Sequence, residues 1–200
     1  SRLPGQDRVY VNVPGEFSYP AWIENLQAGR TFVTNGPMLR FQAGGQQMGT
    51  TVVMPEAGEL EINATITSHH PVNLVEILYN GSVVHTMEPP EEGKKVDLKH
   101  ALAVDSSGWV AMRVSGPNHA DQPAGYLFAH TSPVYLTVED KPTRSRRDAM
   151  YFVNWIDRLH ADIRKRNRVP DRHAVHVETL MAEARAVYLE RAGRRLEKRD

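Results

Sequence analysis

The stretch Val75-Glu76-Ile77-Leu78-Tyr79-Asn80-Gly81-Ser82-Val83-Val84-His85-Thr86 decides the fold class. Two β-prone runs flank Asn-Gly, and both central residues tolerate the positive φ of a type I′ turn, so the segment reads as a hairpin. Upstream, Glu61-Ile62-Asn63-Ala64-Thr65-Ile66-Thr67 alternates polar and apolar residues, the pattern of a strand with one face on a core and one in water. The same reading places strands at 31–34, 39–42, 59–68, 74–79, 82–87, 96–100, 109–115, 125–130 and 133–138. Short strands at this spacing predict sheet-on-sheet packing. Towards the amino end, Val9, Val11 and Val13 alternate up to Pro14-Gly15 and form an opening strand. Ser18 then caps a helix with Pro20 at its second position, an apolar face of Trp22, Ile23 and Leu26, and Gly29 to end it.

After Val138 the strand signal stops, and residues 139–147 read as a connector. Phe152, Trp155, Ile156, Leu159 and Ile163 recur at helical spacing, as do Val177, Leu180, Met181, Ala184, Val187 and Tyr188, with Pro170-Asp171 between the two runs. Such stripes are expected to be core, covering one side of the sandwich or a partner. The predicted architecture is mainly β: an antiparallel, immunoglobulin-like β-sandwich with one short N-terminal helix and a C-terminal α-helical hairpin. Residues 1–30 hold the opening strand and helix, 31–140 the sandwich and 141–200 the hairpin.

Two hundred residues, 40% of them hydrophobic, are enough for one cored domain with an appendage. Without cysteine the chain makes neither a disulfide nor a thiolate metal site. No stretch approaches the length of a membrane span, and no signal-peptide core opens the chain. A soluble protein, not a membrane protein, is expected, with its compartment open between cytoplasm and periplasm or secretion. Because Ser1-Arg2-Leu3-Pro4-Gly5 reads as an excised start, an upstream segment is expected too. Residues 141–200 carry 16 lysines and arginines against 9 acids, and residues 1–140 carry 8 against 15. The basic charge is spread along amphipathic helices, which favours a solvated face over a nucleic-acid arm.

Nine histidines raise the question of a metal, but their spacing is poor for one. His69 and His70 adjoin at a strand end, where alternation sends neighbours to opposite faces. His173 and His176, near Glu178, lie outside any HExxH pattern. His130, in Ala-His-Thr-Ser-Pro, is placed to bond a carbonyl and hold a bend. A nucleophile elbow is missing, and residues 43–49 hold glycines without the Gly-Lys-Ser/Thr of a phosphate loop. Glu91-Glu92 and Glu139-Asp140 are too few oxygens for calcium. No catalytic residue, metal ligand or cofactor is therefore assigned to the chain itself. Thr34-Asn35-Gly36-Pro37 reads as a rigid corner in which Asn35 bonds its own backbone and Gly36 takes positive φ.

Residues 19–39, YPAWIENLQAGRTFVTNGPML, resemble the C-terminal region of carbaryl-hydrolase-like (CehA/McbA family) metallohydrolases. Weaker matches follow in the same order: Gly44 to Gly49, the Asn80-Gly81 hairpin, Gly108-Trp109-Val110-Ala111-Met112-Arg113, and Ala129-His130-Thr131-Ser132-Pro133-Val134-Tyr135. Those enzymes are similar to the polymerase-and-histidinol-phosphatase-like superfamily, whose barrel binds divalent metals through upstream histidines and acids. No such ligand motif precedes Arg30-Thr31-Phe32 here. The resemblance therefore implies a non-catalytic accessory domain of a metal-dependent hydrolase of esters, carbamates or phosphoesters, with residues 1–30 as its junction to the barrel. The barrel would be its partner and would hold the metal, with Arg30, Asn35 and His130 as polar groups near the interface and the C-terminal helices open to homo-oligomerisation. The alternative is a stand-alone β-sandwich binding module for carbohydrate or protein.

Overall fold

The computed structural model of the chain describes residues 4–90, 93–121 and 125–193. In chain order the elements are β1 (Arg8–Val11), α1 (Tyr19–Gln27), β2 (Thr31–Thr34), β3 (Met38–Ala43), β4 (Gln46–Gln47), β5 (Thr51–Met54), β6 (Gly58–Thr67), β7 (Leu74–Tyr79), β8 (Ser82–Met87), β9 (Lys95–Val104), β10 (Gly108–Gly116), β11 (Leu127–Thr131), β12 (Val134–Val138), α2 (Arg146–Arg166) and α3 (Asp171–Arg191). Residues up to Thr143 make one compact unit and those from Arg144 a second.

The alternation of β6 sets the smaller sheet, β4-β3-β6-β9. Leu60, Ile62, Ala64 and Ile66 all point to one face because side chains alternate with a period of two. Register then aligns Leu39 and Val96 with Ile66, and Phe41 and Leu98 with Ala64. The other eight described strands build the larger sheet, whose Val75, Ile77, Val110, Met112 and Val114 join the same buried cluster. The molecule is thus β-rich, a two-layer sandwich with three helices. The chain changes sheet after β2, β4, β5, β6, β8 and β9. The β7–β8 turn is as expected, with Asn80 at φ 50° and Gly81 at φ 82°.

Strand β10 organises the larger sheet. One edge pairs with β7, while the other takes β11 along its second half and β12 along its first. The register steps by one residue between them, as a bulge requires. There the Thr131 hydroxyl accepts the Met112 N–H at 2.9 Å, doing the work of a ladder carbonyl. The bend expected around His130 therefore falls at Thr131-Ser132-Pro133, and β11 goes on to pair with β2 while β12 pairs with β5.

Four expectations are corrected. The sandwich is not wholly antiparallel, because β5 runs parallel to β12, with Thr51 opposite Tyr135 and Met54 opposite Val138. Strand β5 was not expected at all: it is a short edge strand that buries only Met54, too little pattern to read. Strand β9 runs on past His100, since the weak β-former alanines 101 and 103 face solvent while Leu102 and Val104 enter the core. In the second unit the helical stripes are buried only in part: Ile156, Ile163, Val177, Met181, Ala184 and Tyr188 are half-buried. Phe152, Trp155, Leu159, Leu180 and Val187 are exposed, whereas Ala149, Val153 and Leu189 are buried, because two helices alone share only a narrow seam. That hairpin is tied by polar links: Arg164 Nε donates to Glu178 at 3.0 Å, His160 Nε2 lies 2.9 Å from it, and Arg185 meets Asp157 at 2.8 Å. The Arg164 guanidinium, then His160, pull the Glu178 carboxyl down to about 2. Glu91-Glu92 and part of the 116–123 loop lie outside the described residues.

Histidines close one open side of the sandwich. His85 on β8 stacks on His100 on β9 at 4.1 Å between centroids, joining edge strands of the two sheets. Burial, and then the neighbouring His85, hold the His100 imidazole below the ordinary histidine value. The unfolded chain therefore takes up this proton first, near pH ~6.5, so the pair's contribution is complete above that pH and is lost as pH falls through the lower folded value. Thermal melts should show His100→Gln losing less stability than wild type between pH 7.5 and 5. Equal losses would dissociate this pair from acid sensitivity.

Candidate functional site

Helix α1 and the corner after it hold Arg30. Ser18 accepts the Ala21 N–H at 3.3 Å, and Gly29 follows the helix at φ 72°. The apolar residues Trp22, Ile23 and Leu26 are half-buried, while the residue α1 buries fully is Asn25. Its amide donates to the Ala21 carbonyl at 2.7 Å, and its oxygen accepts Arg30 Nη1 at 2.8 Å. Arg30 therefore folds back on its own helix. Its Nε is buried with no hydrogen-bond partner among the described residues.

Asn35 follows β2 and is 4% exposed. It does not bond its own backbone, as the sequence suggested: its Oδ1 accepts the Phe128 N–H and its Nδ2 donates to the Tyr126 carbonyl, both at 2.8 Å. Thr34 closes the turn instead, donating to the Pro37 carbonyl at 2.6 Å and accepting the Gly36 N–H at 2.9 Å. Gly36 is not at positive φ. A Thr34 hydroxyl is shorter than an Asn35 amide, so it fits the tight loop and frees the amide to reach across to the neighbouring strand. His130 pairs across from Val33 and Arg113 in the larger sheet, and its Nδ1 lies 2.7 Å from the Thr131 carbonyl. Arg113 is held by Glu76 at 2.7 Å. Arg30 and Asn35 flank β2 at opposite ends, about 16 Å apart along an extended strand, so the structure does not gather the three candidates into one cluster.

Two surfaces escaped the sequence reading. The first is apolar and lies in the opening segment. Phe17 and Tyr19 are each 72% exposed and Val9 is 51% exposed. Tyr19 stacks on Trp22 at 6.4 Å, and Tyr10 stacks on Phe32 at 5.2 Å. β1 is the edge of the larger sheet, and its Val9 stays exposed where alternation alone would bury it. The second is a groove of about 850 Å³ between Tyr10, Asn12 and Phe32 on one side and the smaller sheet on the other. Cross-strand rows Arg40, Thr65, Asp97 and Gln42, Asn63, Lys99 line it. Thr65 donates to Asp97 at 2.8 Å, and Asn12 donates to Gln47 at 2.6 Å. These were legible only as the polar half of three strands, since the sequence does not say which polar faces are concave.

Among the other histidines, His173 takes a hydrogen bond from Arg172, while Glu178 is engaged by His160 and Arg164, so the helix-start residues that the sequence set aside are held apart here too. His70, by contrast, meets His119 and Asp121 from a loop 49 residues away.

Fold and surfaces define a β-sandwich with an exposed aromatic edge and an open groove of mixed polarity. Comparisons with protein-family models, with curated proteins and with solved structures gave no match. No described helix is long and apolar enough to cross a membrane.

Proposed function

We propose that the chain is a non-catalytic accessory unit of a metal-dependent hydrolase, docking on an upstream metal-binding barrel through its opening segment. The observation that carries this reading is that Phe17, Tyr19 and Val9 of the opening segment are each exposed, since large apolar side chains left at a surface favour an interface over water. They adjoin the 19–39 stretch that resembles the metallohydrolases. In the enzyme, metal-bound hydroxide would attack an ester, carbamate or phosphoester. Arg30 then braces the α1 corner behind the interface, and Asn35 braces the turn at the far end of β2. We also read the sandwich as immunoglobulin-like. In support, β3, β6 and β9 follow the order of strands A, B and E, and β8, β7, β10 and β11–β12 that of C′, C, F and G.

The test compares this 200-residue chain with a version extended upstream along its gene. With divalent metal, only the extended protein is expected to hydrolyse nitrophenyl esters or phosphates, and hydroxyl-radical footprinting should find Phe17 and Tyr19 protected there and reactive in the shorter chain. Hydrolysis by the shorter chain, or equal reactivity in both, would overturn the proposal.

The groove supports a second reading, a binding module for carbohydrate or a protein edge. Planar amides and charges of both signs over an open sheet face suit hydroxyl-rich ligands. Glycan-array binding that is lost in an Arg40→Ala, Asn63→Ala double variant would favour it; no binding to any glycan would remove the carbohydrate case.

A further inference from the structure

The loops β6–β7 and β10–β11 meet at one end of the sandwich and bring together side chains that are 49 and 51 residues apart in sequence. Asp121 Oδ2 lies 3.5 Å from His119 Nδ1 and 4.0 Å from His70 Nε2. One ligand atom from each residue falls within 4.8 Å of the others. Ligand atoms about 2.1 Å from a tetrahedral zinc stand roughly 3.4 Å from one another, so the carboxylate is already near coordinating range of both rings. From these distances we infer that His70, His119 and Asp121 bind one divalent transition-metal ion of the zinc class, clasping the two loops.

The donor set selects the ion. Two imidazoles and one carboxylate suit zinc, nickel, copper or cobalt, while calcium and magnesium want six or more oxygens. Three protein ligands leave a fourth position for water or an incoming group. The loop backbone positions the set: His119 N donates to the Gly125 carbonyl at 3.0 Å, and Val72 N donates to Gly93 at 3.0 Å. The Asp121 N–H donates to His119 Nδ1 at 3.2 Å, so that nitrogen is the unprotonated one of the ring, and a metal would take its lone pair in place of this hydrogen bond.

His70 is 9% exposed, with the His119 ring stacked on it at 3.5 Å and the His69 ring edge-on at 4.7 Å. Burial, then these two imidazoles, hold His70 below the ordinary histidine range. The two rings are stacked with planes 26° apart, so joint ligation requires them to turn until their lone pairs converge. The histidines had looked unpromising in sequence because adjacency of His69 and His70 separates their faces. The partner of His70 comes instead from a distant loop. This site is separate from any metal of an upstream barrel, and it stands whether or not the accessory reading does.

The experiment titrates the metal-stripped 200-residue chain with Zn²⁺ by calorimetry and with Co²⁺ by visible absorption. One equivalent is expected to bind, with cobalt bands of four- or five-coordinate geometry. His119→Ala, at a half-buried loop position, and Asp121→Asn, at an exposed one, should weaken binding by about 100-fold, by analogy with the upper range for lost supporting groups; His173→Ala should leave it unchanged. His70→Ala should do the same as His119→Ala if circular dichroism finds it folded, and the two loop variants decide the matter if it is not. Absence of a stoichiometric Zn²⁺ site, or affinity retained in His119→Ala and Asp121→Asn, overturns the assignment.

Discussion

Gly49→Ala is expected to destabilise the first unit by about 4 kcal/mol, combining left-handed strain with overpacking. Gly49 has φ +78°, and a Cβ there would stand 2.2 Å from the Ala28 carbonyl oxygen and 2.6 Å from the Gly29 carbonyl carbon. Both obstacles are backbone at the end of α1, so no side chain can swing away. Gly49 N also donates to the Pro133 carbonyl at 2.8 Å, which prevents the loop from backing off. Gly45→Ala is the control: it too has positive φ, +73°, but nothing lies within 4 Å of its added Cβ, so only about 1 kcal/mol of conformational strain applies. Urea unfolding followed by tryptophan fluorescence in a Trp155→Phe background reports the first unit alone. Equal losses for the two glycines would mean that the α1 corner and the β4–β5 loop do not touch as described.

Asn35→Ala is expected to cost about 3 kcal/mol, since it strands two buried backbone groups at once. The Phe128 N–H and the Tyr126 carbonyl both lose their 2.8 Å partner, at a position only 4% exposed. Asn35→Asp separates the two halves of that loss. Its carboxylate still accepts from Phe128 but meets the Tyr126 carbonyl with a lone pair where the amide had a donor. It should be badly destabilised at neutral pH and partly restored in acid, where a protonated carboxyl donates again. The carboxyl is then raised in the folded state, so its contribution is lost as pH rises, the reverse of the His100 case. The same unfolding measurement at two pH values checks this. A mild Asn35→Ala would show that the corner is held by Thr34 alone.

The parts of the fold that were legible rest on local signals. Asn80-Gly81 fixed a hairpin because few other residue pairs accept positive φ twice, and the α1 limits followed from a Ser18 cap and a Gly29 stop. The two C-terminal helices were equally plain. Strand β5 was missed because an edge strand with one inward residue carries almost no pattern, and its parallel partner β12 is over 80 residues away. Arg30, Asn35 and His130 were legible as unusual residues, but not their work. Arg30 turned back on Asn25, and Asn35 reached across to β11.

By itself the sequence determined a β-rich chain with one capped helix and a helical pair, since turn chemistry and side-chain periodicity act within a few residues. Only the tertiary structure decided which polar strand faces form a groove, which apolar residues stay in water, and that His70, His119 and Asp121 meet. Those facts depend on packing between distant segments, where the position of a side chain is set by what it lies against and not by its neighbours in the chain.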